Sequence, residues 1–215
     1  MDIGVPLIDY GAVDIGTLRE TMLHLPADFW LADREARTTV AGDRPGDAVY
    51  FYNPRPPKVK RMALREARSG FVSVLRHRTR PLFDDIQALI DRHIRAHFPE
   101  CDVMRVQLAE LPPGQVIEPH QDINILALIH RLHVPIVTHP DVEFIIDGNT
   151  FFLKVDTLYD LNNVMRHSVT NRSDVMRVHL LVDMMPHSLA RAKYFDDEDE
   201  MVRALGGRQL IEPID

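Results

Sequence analysis

Between residues 102 and 184 the sequence is a succession of short β-prone runs broken by turn chemistry. That rhythm constrains the fold more than any other feature. Val103–Leu111, Val116–Asp122, Ile123–Leu128, Leu132–Val137, Val142–Ile146, Thr150–Leu153, Leu158–Leu161, Ser168–Thr170 and Met176–Met184 each read as a strand. Between them stand Pro112-Pro113-Gly114, Thr138-His139-Pro140-Asp141 and Asp147-Gly148. The last is a strong hairpin signal, because a tight type I′ turn needs positive φ at both central positions. Short strands at regular spacing, with little helix among them, predict a sandwich or barrel.

The first hundred residues read differently. Thr17-Leu18-Arg19-Glu20 resembles a capping box ahead of Met22, Leu23 and Leu25. Pro81–Phe98 is the clearest helix, with Leu82, Ile86, Leu89, Ile90, Ile94 and Phe98 on one face. His93 and His97 lie one turn apart on it but lack an acidic partner, and are expected to be exposed or packed. Trp30 is expected to anchor the N-terminal helix. The β-prone Val49–Tyr52 runs into Asn53-Pro54-Arg55-Pro56-Pro57, which cannot continue a ladder; a surface connection is favoured there over a lid. Residues 187–205 return to helical composition, with an acidic run at Asp196–Glu200 read as a solvated face or tail. The expected organisation is a single domain over 1–215: a helical and lid region (1–101), a β core (102–185) and a helical tail (186–215).

Composition excludes several classes. An apolar fraction of 45% and a charged fraction of 27% are ordinary for a globular protein. A net charge of −7 argues against a nucleic-acid surface; the local basic run Lys58, Lys60, Arg61, Arg65 and Arg68 reads as a solvated helix face. With one cysteine, Cys101, neither an internal disulfide nor a multi-cysteine zinc site is available, which fits a reducing cytoplasmic setting. Cys101 itself reads as a small buried residue. Neither a signal-peptide pattern nor a membrane-length apolar run is visible.

The candidate chemistry centres on His120-Gln121-Asp122. On a strand, positions i and i+2 point the same way, so His120 and Asp122 can face one pocket. With His167 they would make a 2-His-1-carboxylate set, which caps one face of a ferrous ion and leaves the opposite face open. On the last strand, Val178, Leu180 and Val182 alternate with Arg177, His179, Leu181 and Asp183. A buried Arg177 needs an anion, either an internal Asp or a small dicarboxylate, since guanidinium holds carboxylate through two parallel hydrogen bonds. Arg131 and His133 share one face of a neighbouring strand. His179 is read as a hydrogen-bonded core histidine. His24, His77, His130, His139 and His187 lack partners at ligand spacing.

The run from Pro113 to Asp183 resembles the aspartyl/asparaginyl β-hydroxylase family of iron(II)/2-oxoglutarate dioxygenases, which includes bacterial proline hydroxylases. The matching segments include Glu118-Pro119-His120-Gln121-Asp122, Arg131-Leu132-His133-Val134-Pro135, Asp160-Leu161-Asn162-Asn163 and His167-Ser168-Val169-Thr170-Asn171. Arg177 follows the distal histidine by ten positions. The resemblance implies a mainly β fold with flanking helices: a double-stranded β-helix (jelly-roll, cupin-like) core with an N-terminal helical layer. It implies Fe(II) on His120, Asp122 and His167, and 2-oxoglutarate as cosubstrate. Arg177 would then hold the distal carboxylate, with Arg131 and His133 near the end that meets the metal. O2 and a small amino acid or short peptide would be the other substrates. Asp122 matches the bacterial branch and favours hydroxylation over chlorination. Asn162, Asn163 and Asn171 are candidates for orienting the ligands. Val155-Asp156-Thr157 departs from relatives, many of which carry a Gly-Glu pair, and a local turn change is expected there.

Two other readings compete: a non-catalytic jelly-roll module binding a metal or small acid, and a zinc hydrolase on the same triad. Neither a nucleic-acid nor a membrane partner is expected, and a homodimer is compatible with the sequence without being required by it.

Overall fold

A computed structural model describes residues 1–25, 48–51 and 84–188. Its elements are β1 (Leu7–Ala12), α1 (Gly16–Leu23), β2 (Ala48–Phe51), α2 (residues 84–94), β3 (Cys101–Leu111), β4 (Val116–His120), β5 (His130–Val137), β6 (Val142–Ile146), β7 (Asn149–Phe151), β8 (Thr157–Leu161), β9 (His167–Asn171) and β10 (Arg177–Pro186). Trp30, the proline-rich segment 53–57, the basic run 58–68, His77, Leu82 and the segment beyond 188 lie outside the described residues.

The strands form two antiparallel sheets. One is six-stranded in the order β1-β8-β5-β10-β3-β2, the other four-stranded in the order β4-β9-β6-β7. From β3 onward the chain passes back and forth between them, which is the winding of a jelly roll. Alternation along each strand then builds two cores. Val106, Leu108, Leu132, Val134, Ile136, Leu158, Val178, Leu180 and Val182 face outward from the larger sheet and pack under Leu18 of α1 and Ile86, Leu89, Ile90 and Ile94 of α2. Leu111, Val142, Phe144, Ile146, Tyr159, Leu161 and Val169 fill the space between the sheets. The two faces of β10 therefore divide as its alternation predicts, apolar outward and Arg177, His179 and Asp183 inward.

The expected helical stripe is found in α2, with a difference. Ile86, Ile90, Ile94 and Phe98 recur every four residues, which outruns the 3.6-residue α-helical turn. The helix widens to a π turn over Ile90–Ile94, marked by Arg95 N–H donating to the Ile90 carbonyl at 3.0 Å, and all four remain buried. The capping box does not form. Ile15 precedes the first helical residue, Thr17 lies inside α1, and Asp14 accepts the Gly16 N–H at 3.0 Å. Thr21 instead donates its hydroxyl to Asp85 at 2.7 Å, joining α1 to α2.

The predicted strand Ile123–Leu128 is a 3-10 turn over Asn124–Leu128. The chain must leave the smaller sheet here and cross to the larger one, and the Leu126 carbonyl accepts from the Asn163 side chain rather than from a ladder. A short apolar run marks burial, and periodicity alone does not separate strand from turn. The Asp147-Gly148 hairpin is present, with φ of 49° and 77°. The Val155–Thr157 departure places Asp156 in the left-handed region at φ 57°, a conformation Asp tolerates better than most residues. Its carbonyl accepts the Val13 N–H and its carboxylate pairs with Arg19.

Candidate metal centre

Strand pairing brings the two histidines together. His120, at the end of β4, and His167, at the start of β9, are directly opposed in the ladder, beyond a bulge after Ile117. Their ring centroids are 4.3 Å apart. Each ring uses Nδ1 on a carbonyl two residues earlier: His120 on Glu118 at 2.7 Å, His167 on Met165 at 2.8 Å. A carbonyl only accepts, so Nδ1 carries the proton and the neutral ring presents its Nε2 lone pair, the form that ligates metals. Burial of the His167 ring lowers its pKa, which favours that neutral form.

Asp122 reaches the same point by another route than the predicted strand alternation. β4 stops at His120, and the backbone N–H of Asp122 donates to the Asn163 carbonyl at 2.8 Å. Gln121 donates its side-chain amide to the Val164 carbonyl at 2.7 Å. The H-x-D segment is thus pinned to the β8–β9 connection. Ligand atoms of His120, Asp122 and His167 all lie within 4.8 Å of one another, the one such cluster among the described residues. His120 is exposed and His167 buried, so the set sits where the interior meets solvent.

The remaining predicted site residues continue inward. Arg131 Nη1 stands 2.8 Å from Asp122 Oδ2 as an ion pair, and that buried oxygen has no hydrogen-bond partner among the described residues. Arg131 directs Nε and Nη2 to the two oxygens of Asp183, at 3.0 and 3.4 Å. Arg131 and Asp183 are opposed positions of β5 and β10. The sequence places Asp183 on the inward face; its pairing with Arg131 follows only from the register. His133 is fully buried, and burial, together with the Arg177 and Arg131 charges, holds its pKa well below the usual histidine value.

Arg177 is 2% exposed, and no carboxylate pairs with it among the described residues. Its guanidinium carbon lies 5.4 Å from the centre of the Phe144 ring, its Nε has no hydrogen-bond partner among the described residues, and burial pushes its pKa down to about 9. Phe144, which the sequence reading did not single out, also stacks on His179, with centroids 5.4 Å apart and planes 10° from parallel. Its place on the inward face of β6 was the available signal.

The asparagines divide in role. Asn163 orients Asp122 through its carbonyl. Asn162 holds the N-terminal segment through Asp2 and the Val5 carbonyl, and Asn171 closes the loop after β9 against the Leu111 and Val175 carbonyls. Other histidines have partners away from the triad: His130 with Asp160 at 2.6 Å, His24 with the Glu20 carbonyl at 2.8 Å, and His97 against Tyr10. Cys101 is half-buried. No helix among the described residues is long and apolar enough to cross a membrane.

The donor set fits a divalent transition metal: two imidazole nitrogens presenting lone pairs and a carboxylate that is ion-paired with Arg131 but whose Oδ2 has no hydrogen-bond partner among the described residues.

No curated protein sequence matches significantly. Among solved structures, the viral collagen prolyl hydroxylase of Paramecium bursaria Chlorella virus-1, in its 2OG complex, is similar at 9% identity and a TM-score of 0.46, over 84% of this chain and 96% of that one. A Pseudomonas putida prolyl-4-hydroxylase is similar at 12% identity and a TM-score of 0.43, over 84% and 92%. A cupin domain from Bordetella pertussis Tohama I is similar at 21% identity and a TM-score of 0.31, over 39% and 90%. The family model for aspartyl/asparaginyl beta-hydroxylase matches residues 73–186, just over half of the 215 residues, and the chain belongs to that family.

Proposed function

We propose that this protein is an iron(II)- and 2-oxoglutarate-dependent dioxygenase. Its reaction hydroxylates an unactivated C–H of an aspartyl, asparaginyl or related amino-acid substrate, free, carrier-bound or in a short peptide. One oxygen atom enters the product and the other enters succinate, with release of CO2. The observation that supports this most is a 2-His-1-carboxylate triad sharing one barrel with a buried guanidinium that has no carboxylate partner among the described residues.

Iron held by His120, Asp122 and His167 would supply the redox chemistry that couples O2 to oxidation of the cosubstrate. The protein's own groups do the positioning. The Glu118 and Met165 carbonyls fix the ring tautomers and orientations, and Asn163 fixes Asp122. Arg177 supplies a desolvated cation for the distal carboxylate of 2-oxoglutarate, through the two-bond geometry that guanidinium favours. Arg131 and His133, opposite Asp183 and Leu181 on the neighbouring strand and with Arg131 beside Asp122, serve the end of the cosubstrate that meets the metal. Arg131 also holds Asp122 and Asp183, so cosubstrate and ligand carboxylate share one cation.

The test is iron-dependent succinate formation and O2 uptake with a mixed pool of amino acids and short peptides, read by mass spectrometry for a gain of one oxygen atom. Asp122→Ala and Arg177→Ala must each abolish turnover; if both leave it intact, the assignment fails. Turnover that persists under strict anaerobiosis with zinc would instead support a hydrolase.

A further inference from the structure

Two inward positions of β10 carry buried nitrogen atoms with no hydrogen-bond partner among the described residues: Arg177 Nε and His179 Nε2. Buried polar groups are nearly always hydrogen-bonded in native proteins, so two orphans on one strand face point to an acceptor that arrives from outside. Both side chains lie against Phe144, which keeps them within one small volume. Arg177 is already the proposed anion anchor; His179 has no role in that reading.

The other nitrogen of His179 is engaged. His179 Nδ1 lies 3.4 Å from His133 Nδ1, and the pair is buried. Such a contact needs one donor and one acceptor. If His133 donates, the proton of neutral His179 sits on Nε2, and both orphaned atoms become donors. If His179 donates, its Nε2 is a bare lone pair that no group satisfies. A carboxylate meets the demands of the first arrangement at both atoms. Burial and the nearby Arg177 charge keep His179 neutral at physiological pH, so a single proton is shared between its two nitrogens.

Resting on the functional reading above, we propose that His179 is a second anchor for the distal carboxylate, donating from Nε2 beside Arg177. His133 sets the tautomer that makes this donation available. His179 is then a specificity residue: it favours 2-oxoacids that carry a distal carboxylate over those that do not.

The test is isothermal titration of the iron-loaded protein, under anaerobic conditions, with 2-oxoglutarate and with 2-oxobutyrate, which lacks the distal carboxylate. His179→Phe is expected to weaken 2-oxoglutarate about tenfold, the size of one hydrogen bond to a charged group, and to leave 2-oxobutyrate within about twofold. His179→Gln, whose amide nitrogen reaches the Nε2 position, should keep most of the discrimination. His179→Asn, whose amide stops near Nδ1, should lose it. This polar pair carries the test even if the Phe variant does not fold. Unchanged 2-oxoglutarate affinity in His179→Phe or His179→Asn, or equal weakening of both ligands, overturns the role of His179 alone. A wild-type protein that does not bind 2-oxoglutarate, or an Arg177→Met variant that binds it as tightly as wild type, overturns the functional reading and this inference with it.

Discussion

Replacing Arg177 with Met removes the buried charge while keeping an unbranched side chain against Phe144. The fall in guanidinium pKa to about 9 corresponds, at about 1.4 kcal/mol per pH unit, to roughly 5 kcal/mol set against the charged form. The group is still protonated at neutral pH, so the folded protein carries that penalty. The contact with Phe144 offsets about 1 kcal/mol of it, and relaxation of the surroundings offsets more. Metal-free Arg177→Met should therefore be more stable than wild type by about 2–4 kcal/mol in urea unfolding at pH 7. The ligand response should move the opposite way. At a hundredfold excess over Kd, 2-oxoglutarate should stabilise iron-loaded, anaerobic wild type by about 2.7 kcal/mol, or roughly 5–10 °C in Tm for a chain of this size. The variant should show no such shift. Destabilisation of Arg177→Met by several kcal/mol would show that the guanidinium has a structural partner in the resting protein. A retained 2-oxoglutarate shift would show that the dicarboxylate binds elsewhere. Either result refutes the reasoning.

Three further outcomes are expected. His133 and His179 are held neutral with pKa values well below the ordinary 6.5. The unfolded chain therefore binds more protons below that pH, and stability should fall as pH drops from 6.5, approaching about 2.7 kcal/mol per pH unit for the pair. Urea titrations at pH 7, 6 and 5 measure this, and His179→Phe should halve the slope. Asp183→Asn breaks the buried pair with Arg131, and should cost about 3 kcal/mol in chemical unfolding because Arg131 keeps its charge. Asn163→Ala removes the side chain that fixes the backbone presenting Asp122, and should weaken iron(II) binding about 10–100-fold in a competitive chelator titration while leaving the triad residues in place.

Much of the fold is legible in the sequence because its signals are local. Alternation along Arg177–Asp183 separates an apolar outer face from a polar inner one, Asp147-Gly148 specifies its own hairpin, and the repeat from Ile86 to Phe98 marks the buried side of a helix. The local signals fail where a distant partner decides. The Thr17 box is lost because the helix already starts at Gly16, whose N–H is taken by Asp14. The apolar run after Asp122 becomes a turn because the chain must change sheets there, and Asn163 claims a carbonyl that a ladder would have used.

The site divides along the same line. The ligand types, the H-x-D spacing and the arginine ten residues past His167 are properties of the sequence by itself, as is the inward direction of Arg177 and His179. Tertiary structure alone decides that His120 and His167 stand opposite each other, since that is a matter of register between β4 and β9. It also decides that Asp122 is presented by a loop, that Arg131 is already held by Asp183, and that Arg177 and His179 keep nitrogens without a hydrogen-bond partner among the described residues. Period and spacing fix which way a side chain points along its own strand. What it meets there depends on pairing with strands far away in the chain, and no local pattern encodes that.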